Sequence, residues 1–108
     1  ADQPQYLDYS DTLYNSLLNK KPFALFFHAP WCGTCRGIEQ EVTSQLNSFP
    51  PGTKIIKADF DTSTTLKQKY GIVTQSIIII INAKGEVVEK LVAPDIDTLK
   101  KSIAKTLT

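Results

Sequence analysis

Cys32 and Cys35 are the only cysteines of the chain, with two residues between them in the stretch HAPWCGTCRGIEQEV, residues 28–42. A thiol pair at this spacing suits one of three chemistries: metal ligation, a structural staple, or reversible disulfide exchange. A structural zinc site wants four ligands, usually Cys and His. The chain offers Cys32, Cys35 and its single histidine, His28, so a zinc site would need a carboxylate or a second chain. A staple over so short a loop removes little chain entropy and holds a strained geometry. A strained disulfide is readily reduced, which leaves redox exchange as the chemistry that fits.

The composition narrows the class around that pair. A chain of 108 residues makes one domain, residues 1–108, with a single modest core. Hydrophobic content of 42% with 21% charged residues belongs to a globular protein rather than a disordered one. The net charge is +1 and the lysines are spread along the chain, which argues against a nucleic-acid surface. The longest apolar run, Ile77 to Ile81, is too short to cross a bilayer, so no transmembrane segment is expected. The chain starts at Ala1 and holds no methionine, which reads as a processed or engineered end.

The elements that must position the cysteines follow from periodicity. Residues 1–9 read as an N-terminal extension or a short edge strand. Ser10 or Asp11 can cap a first helix with Leu13, Leu17 and Leu18 on its apolar side. PFALFFH, 22–28, is a buried strand. A second helix starts at the cysteine pair and carries Ile38, Val42, Leu46 and Phe49 before PPG at 50–52 ends it. Lys54 to Phe60 is a second central strand, and Thr62 to Tyr70 a short helix stopped by Gly71. The isoleucines of SIIIIIN, 76–82, run without alternation, as in a central strand covered on both faces. NAKGE is a hairpin turn with Gly85 free for positive φ, and EVVEKLV returns as a charged edge strand. Pro94, Asp95 and Asp97 open a last helix with the stripe Ile96, Leu99, Ile103 and Leu107. The order predicts an α/β fold, a central mixed sheet with helices on both faces that ends in an antiparallel hairpin and a helix.

Cys32 falls where a buried strand ends and a helix begins. Unpaired N–H groups and the partial positive charge of a helix N-terminus both favour a thiolate, the form that attacks disulfides. Cys35 lies about one turn further on, beneath Cys32, placed to resolve a mixed disulfide. Gly33 is expected to let the backbone turn tightly between them. Arg36 adds positive charge, although a solvated first-turn role suits it better.

APWCGTC followed by a helix, KADFD at 57–61, KYGI at 69–72 and the NAKGE hairpin resemble the thioredoxin family from about Pro22 to Leu107. C-x-x-C near a βαβ pattern is the general mark of that family. The resemblance implies a thioredoxin-like fold and a protein-disulfide oxidoreductase that cycles a Cys32–Cys35 redox-active disulfide without a cofactor. By position, Cys32 resembles the attacking cysteine, Cys35 the resolving one, Trp31 the aromatic that flanks the site and Lys57 the lysine beneath it. Gly33, Thr34, Gln75, Ser76 and Ala93 fall where that family meets its substrate.

Several positions depart from the family. Phe26 stands where a buried Asp or Glu is common, so Lys57 is expected to lack its partner and to extend outward. His28 replaces an aromatic; its imidazole would favour the Cys32 thiolate if charged, but a partly buried ring capping the strand is the preferred expectation. Ala93 is near a usual glycine. Ser76 takes the place of a cis-proline. A cis bond before a residue other than proline costs about 2.5–4 kcal/mol, so the Gln75–Ser76 bond is expected to be trans. The freed N–H beside the cysteines should then loosen the substrate groove and open room near both sulfurs.

The leading function is thiol–disulfide exchange with cysteine-containing protein substrates and a redox partner still to be identified, by a monomer, with a lean towards reduction because Thr34 supplies no cation for the thiolate. The competing function is a dimer that pools Cys32 and Cys35 of two chains around zinc or an iron–sulfur cluster. FFHAPWCGTC and the Gln75-Ser76 pair resemble small bacterial extracytoplasmic members of the family, periplasmic or membrane-tethered. Ala1-Asp2-Gln3-Pro4 would suit a tether remnant.

Overall fold

Segments of period 2 and period 3.6 alternate along the chain, and each folds as its own element in the computed structural model, which describes residues 3–107. Ala1 and Asp2 of the expected tether remnant lie outside the described residues. The elements are β1 (Gln5–Asp8), α1 (Asp11–Leu17), β2 (Phe23–His28), α2 (Gly33–Ser44), β3 (Lys54–Asp59), α3 (Thr64–Tyr70), β4 (Ile77–Ile81), β5 (Val87–Val92) and α4 (Ile96–Leu107). The sheet order is β1-β3-β2-β4-β5. β1 and β2 run parallel to β3, whereas β4 is antiparallel to both β2 and β5. The strand that ends at the cysteines is therefore central.

Both faces of the sheet are covered. On one face Ala24, Phe26, Ile55, Ile78 and Ile80 pack under Ile38 and Val42 of α2 and Leu99 and Ile103 of α4. On the other, Phe23, Leu25, Phe27, Ile56, Ile77, Ile79 and Ile81 pack against Tyr14 and Leu17 of α1 and Leu66 of α3. Five consecutive isoleucines fit β4 because alternate members serve opposite cores. Cys32 and Cys35 belong to the first core.

Local chemistry sets most of the ends. Ser10 Oγ accepts the Leu13 N–H at 3.0 Å as the cap of α1. Gly71, at φ +67°, closes α3 in the left-handed region. α2 is shorter than its apolar stripe predicts. It stops at Ser44, and a 3-10 turn, Leu46–Ser48, delivers Phe49 to the core instead. Thr43 and Ser44 turn their hydroxyls back onto the carbonyls of Glu39 and Glu41, a competition that weakens a helix end. α3 likewise starts late, because the Asp59 carboxylate holds the Asp61 N–H and the Thr62 hydroxyl in a preceding turn.

β5 lies at the sheet edge, reached through a turn in which Asn82 Oδ1 accepts the N–H groups of Lys84 and Glu86. Gly85 sits there at φ +84°, and a Cβ on it would fall 2.3 Å from Asn19 Oδ1. Gly85→Ala is expected to cost about 1–2 kcal/mol from the left-handed backbone, with the Asn19 side chain displaced. A lower urea midpoint at unchanged slope is the expected reading, and an unchanged midpoint would contradict it.

Candidate active site

The buried run of β2 ends at His28, and Ala29 and Pro30 carry the chain to Trp31 before α2 begins. Cys32 is the N-cap of α2, and its Sγ accepts the backbone N–H of Cys35 at 3.3 Å. A thiolate is thereby held against the positive end of a 12-residue helix. Cys32 keeps 7% exposure and Cys35 none, and both are free thiols. Arg36, exposed as expected, donates from Nη1 to the Pro30 carbonyl at 3.0 Å and so braces the loop ahead of the cysteines. Gly33 is not the tight-turn residue that the spacing suggested. It has no positive φ, and a Cβ there would meet only the Arg36 side chain, at 3.8 Å.

Trp31 is 57% exposed, with its indole N–H donated to Asp61 Oδ2 at 2.8 Å. Gly33 and Thr34 are exposed on the first turn of α2, Val73 and Ala93 on the loops before β4 and after β5, and Val92 at the end of β5. Gln75 is half-buried beside Ser76.

Ser76 departs from expectation in an informative way. The described residues contain no cis peptide bond, so the trans form expected at Gln75–Ser76 is present. Its N–H is not left over beside the cysteines: it donates to the Phe27 carbonyl at 3.1 Å, while its own carbonyl accepts the Ala93 N–H at 2.8 Å. Those two bonds hold Ser76 at φ +67° and Ala93 at +47°, left-handed conformations that cost a side-chain-bearing residue free energy. The loop is thus tied down rather than loosened. Nor is room opened near the sulfurs, because Ser76 Oγ lies 3.3 Å from Cys32 Sγ and 3.0 Å from Cys35 Sγ. The room expected beside the sulfurs is filled by the Ser76 hydroxyl, and among the described residues no three His, Cys, Asp or Glu side chains of one chain gather to hold a metal ion.

These contacts split the two thiols. Hydrogen bonds from Ser76 Oγ, foremost, and from the Cys35 N–H lower the Cys32 pKa to about 7, against a smaller opposing effect of burial. Burial raises that of Cys35. Alkylation of the reduced protein should therefore rise as the pH passes upward through about 7, with label on Cys32, while Cys35 stays protonated and unlabelled. Peptide mapping across a pH series checks this. Preferential label on Cys35 would reverse the two roles.

A family model described as Thioredoxin matches residues 5–105. The chain belongs to the thioredoxin family. Among its relatives, thioredoxin of Pyropia yezoensis is 30% identical over 89 residues, which cover 82% of this chain and 79% of that one. An M-type chloroplastic thioredoxin of Brassica napus is 33% identical over 101 residues, 91% of this chain and 56% of its own length. The solved structure of a mutant thioredoxin from Halobacterium salinarum superposes with a TM-score of 0.83 at 25% identity, over 100% of this chain and 96% of that one. The protein is a thiol–disulfide oxidoreductase that acts through the Cys32–Cys35 dithiol.

This member of the thioredoxin family rebuilds the polar contacts around Lys57. Phe26 is fully buried, edge-on to the His28 ring at 5.4 Å between centroids. Lys57, its neighbour across the β2–β3 ladder, was expected to lack a partner and extend outward; instead its Nζ lies 2.9 Å from Glu39 Oε2. The same oxygen accepts the Tyr6 hydroxyl at 2.6 Å. Glu39 descends from α2, one turn past Cys35, into the place that an apolar Phe26 left to Lys57. Hydrogen bonds from Tyr6 and Lys57 hold its pKa below the ordinary carboxylate value, although burial, the largest single influence, opposes them. His28 is more deeply buried than expected. Burial lowers its pKa, so the ring is neutral at pH 7 and supplies no charge to Cys32. Its Nε2 stands 3.5 Å from Glu39 Oε1 without a hydrogen-bond partner. Sequence reasoning passed over Glu39, Tyr6 and Asp61. Only Glu39 carried a signal, its four-residue spacing from Cys35 on one helix face.

Proposed function

We propose that the protein works as a disulfide reductase on cysteine-containing protein substrates, as a monomer and with no cofactor beyond its own dithiol. The supporting observation is the degree of thiolate stabilisation at Cys32. A more stabilised thiolate makes a stronger oxidant, and the reference points are thioredoxin itself at a pKa of about 7 and a strong oxidase of related fold at about 3.5. Cys32, at about 7, lies at the reducing end.

In the forward cycle the Cys32 thiolate attacks a substrate disulfide and expels one substrate thiolate. Cys35 then attacks Cys32 Sγ, closes the Cys32–Cys35 disulfide and frees the second substrate sulfur. Trp31, Gly33, Thr34, Gln75, Ser76 and Ala93 supply the surface on which the substrate chain lies around Cys32. Exposed Val73 and Val92 add apolar area to that rim. Measurement of the Cys32–Cys35 reduction potential tests the direction. A value of roughly −270 to −200 mV is expected, and one near about −120 mV would make the protein an oxidase instead. Insulin reduction with a small dithiol as electron source checks turnover on a protein substrate.

The compartment proposed is extracytoplasmic, on the likeness of FFHAPWCGTC to bacterial members of the family. No helix among the described residues is long and apolar enough to cross a membrane. Relatives named chloroplastic, from Brassica napus and Arabidopsis thaliana, favour a plastid instead. Fractionation of the source cells, with the protein found outside the cytoplasmic membrane or inside an organelle, decides between the two.

A further inference from the structure

We propose that the Ser76 hydroxyl is a catalytic group, a proton relay between the two cysteines that carries the Cys35 proton away during the resolving step. The inference rests on the thiol–disulfide exchange reading and adds a residue to it. A hydroxyl has one hydrogen to give and two lone pairs to receive. Ser76 Oγ stands within hydrogen-bond reach of both sulfurs, 3.3 Å from Cys32 Sγ and 3.0 Å from Cys35 Sγ. A Cys32 thiolate has no hydrogen, so Ser76 donates to it. The free lone pairs then face the Cys35 thiol at 3.0 Å, nearer than the Phe27 carbonyl at 4.0 Å. The opposite polarity would put the anion on the fully buried Cys35, where burial disfavours it. Two backbone hydrogen bonds, to Phe27 and from Ala93, fix the oxygen in this position.

Cys35 is fully buried and reacts only as its proton departs. In the mixed disulfide, Cys35 Sγ attacks Cys32 Sγ, the bond between Cys32 and the substrate sulfur breaks, and the electron pair leaves with the substrate sulfur. The Cys35 proton passes to Ser76 Oγ while the Ser76 hydroxyl proton passes to the departing sulfur, one S–S bond beyond Cys32. Ser76 ends as it began, and the products are the Cys32–Cys35 disulfide and a substrate thiol. Other ionisable groups on this face are Tyr6 on β1, His28 on β2, Glu39 on α2 and Lys57 on β3. Glu39 is engaged with Tyr6 and Lys57, and His28 Nε2 faces Glu39 Oε1 at 3.5 Å, whereas the Ser76 hydroxyl is in direct contact with Cys35 at 3.0 Å.

The test compares the wild type with Ser76→Ala and Ser76→Gly. Glycine accepts φ +67° without strain, so that variant folds even if alanine does not. Two readings are taken: the pH midpoint of Cys32 alkylation, and the single-turnover rate at which a preformed mixed disulfide on Cys32 is resolved. Loss of the donor should raise the midpoint by roughly one pH unit. Loss of the relay should slow resolution at least about tenfold in both variants and shift its pH profile upward. Unchanged resolution in a folded Ser76→Gly protein overturns the relay. A raised midpoint with unchanged resolution also overturns it, and leaves Ser76 as a donor to Cys32 only. If the wild type itself resolves no mixed disulfide, the exchange reading fails before the relay is reached.

Discussion

Cys35→Ser will accumulate as mixed disulfides with protein substrates and lose insulin-reductase turnover by on the order of a thousandfold or more, whereas Cys32→Ser will lose turnover and trap nothing. The asymmetry follows from position. Cys32 caps α2, retains some exposure and has its pKa lowered to about 7, so it attacks first. Cys35 is wholly buried and reaches only the sulfur above it. Without Cys35 the first bond forms and cannot be resolved; without Cys32 no thiolate faces the substrate. Non-reducing electrophoresis of each variant with a disulfide-bonded substrate distinguishes the two, and trapped complexes on Cys32→Ser would exchange the roles.

The second large effect is expected at Phe26. Phe26→Asp restores the acidic residue that the family commonly carries there, yet it should destabilise this protein by about 4 kcal/mol or more. The ring is fully buried between the β2–β4 ladder and α2, and loss of a buried Phe alone costs about 3–5 kcal/mol. A carboxyl in its place would need a partner, and Lys57 is already held by Glu39 at 2.9 Å. Such a loss is a large part of the roughly 5–15 kcal/mol that holds a domain of this size together. Urea denaturation measures it. Phe26→Asp with Glu39→Gln should recover part of the loss, since the second change releases Lys57 to the new carboxyl. Wild-type stability in the single variant would show that Lys57 exchanges partners freely, and would remove Glu39 from its assigned place.

Much of the molecule was legible in the residues themselves because it depends on neighbours in the chain. The Ser10 cap, the Gly71 stop, the five isoleucines of β4, the Asn82–Gly85 turn and the location of Cys32 at a strand-to-helix junction are each written within a few residues. The mixed α/β order and the exchange chemistry follow from those. The thioredoxin-like fold came instead from the resemblance of APWCGTC, KADFD and KYGI to that family, and the family match and the structure agree with it. The contacts that distinguish this protein have no such local record. Ser76 meets Cys35 across 41 positions and Tyr6 meets Glu39 across 33, distances bridged only when strand order places β1, β3, β2 and β4 side by side under α2. A serine in place of a proline announces a trans bond, but not which carbonyl takes its N–H; that depended on Phe27, one residue before the end of β2, lying beside it. Phe26 announces a missing carboxylate, but the return of an acid through Glu39 required the helix face four residues past Cys35 to lie over Lys57. Side-chain type and local spacing determined what could react here, and the packing of the tertiary fold decided which hydroxyl stands beside the reacting sulfurs and which carboxylate pairs with Lys57.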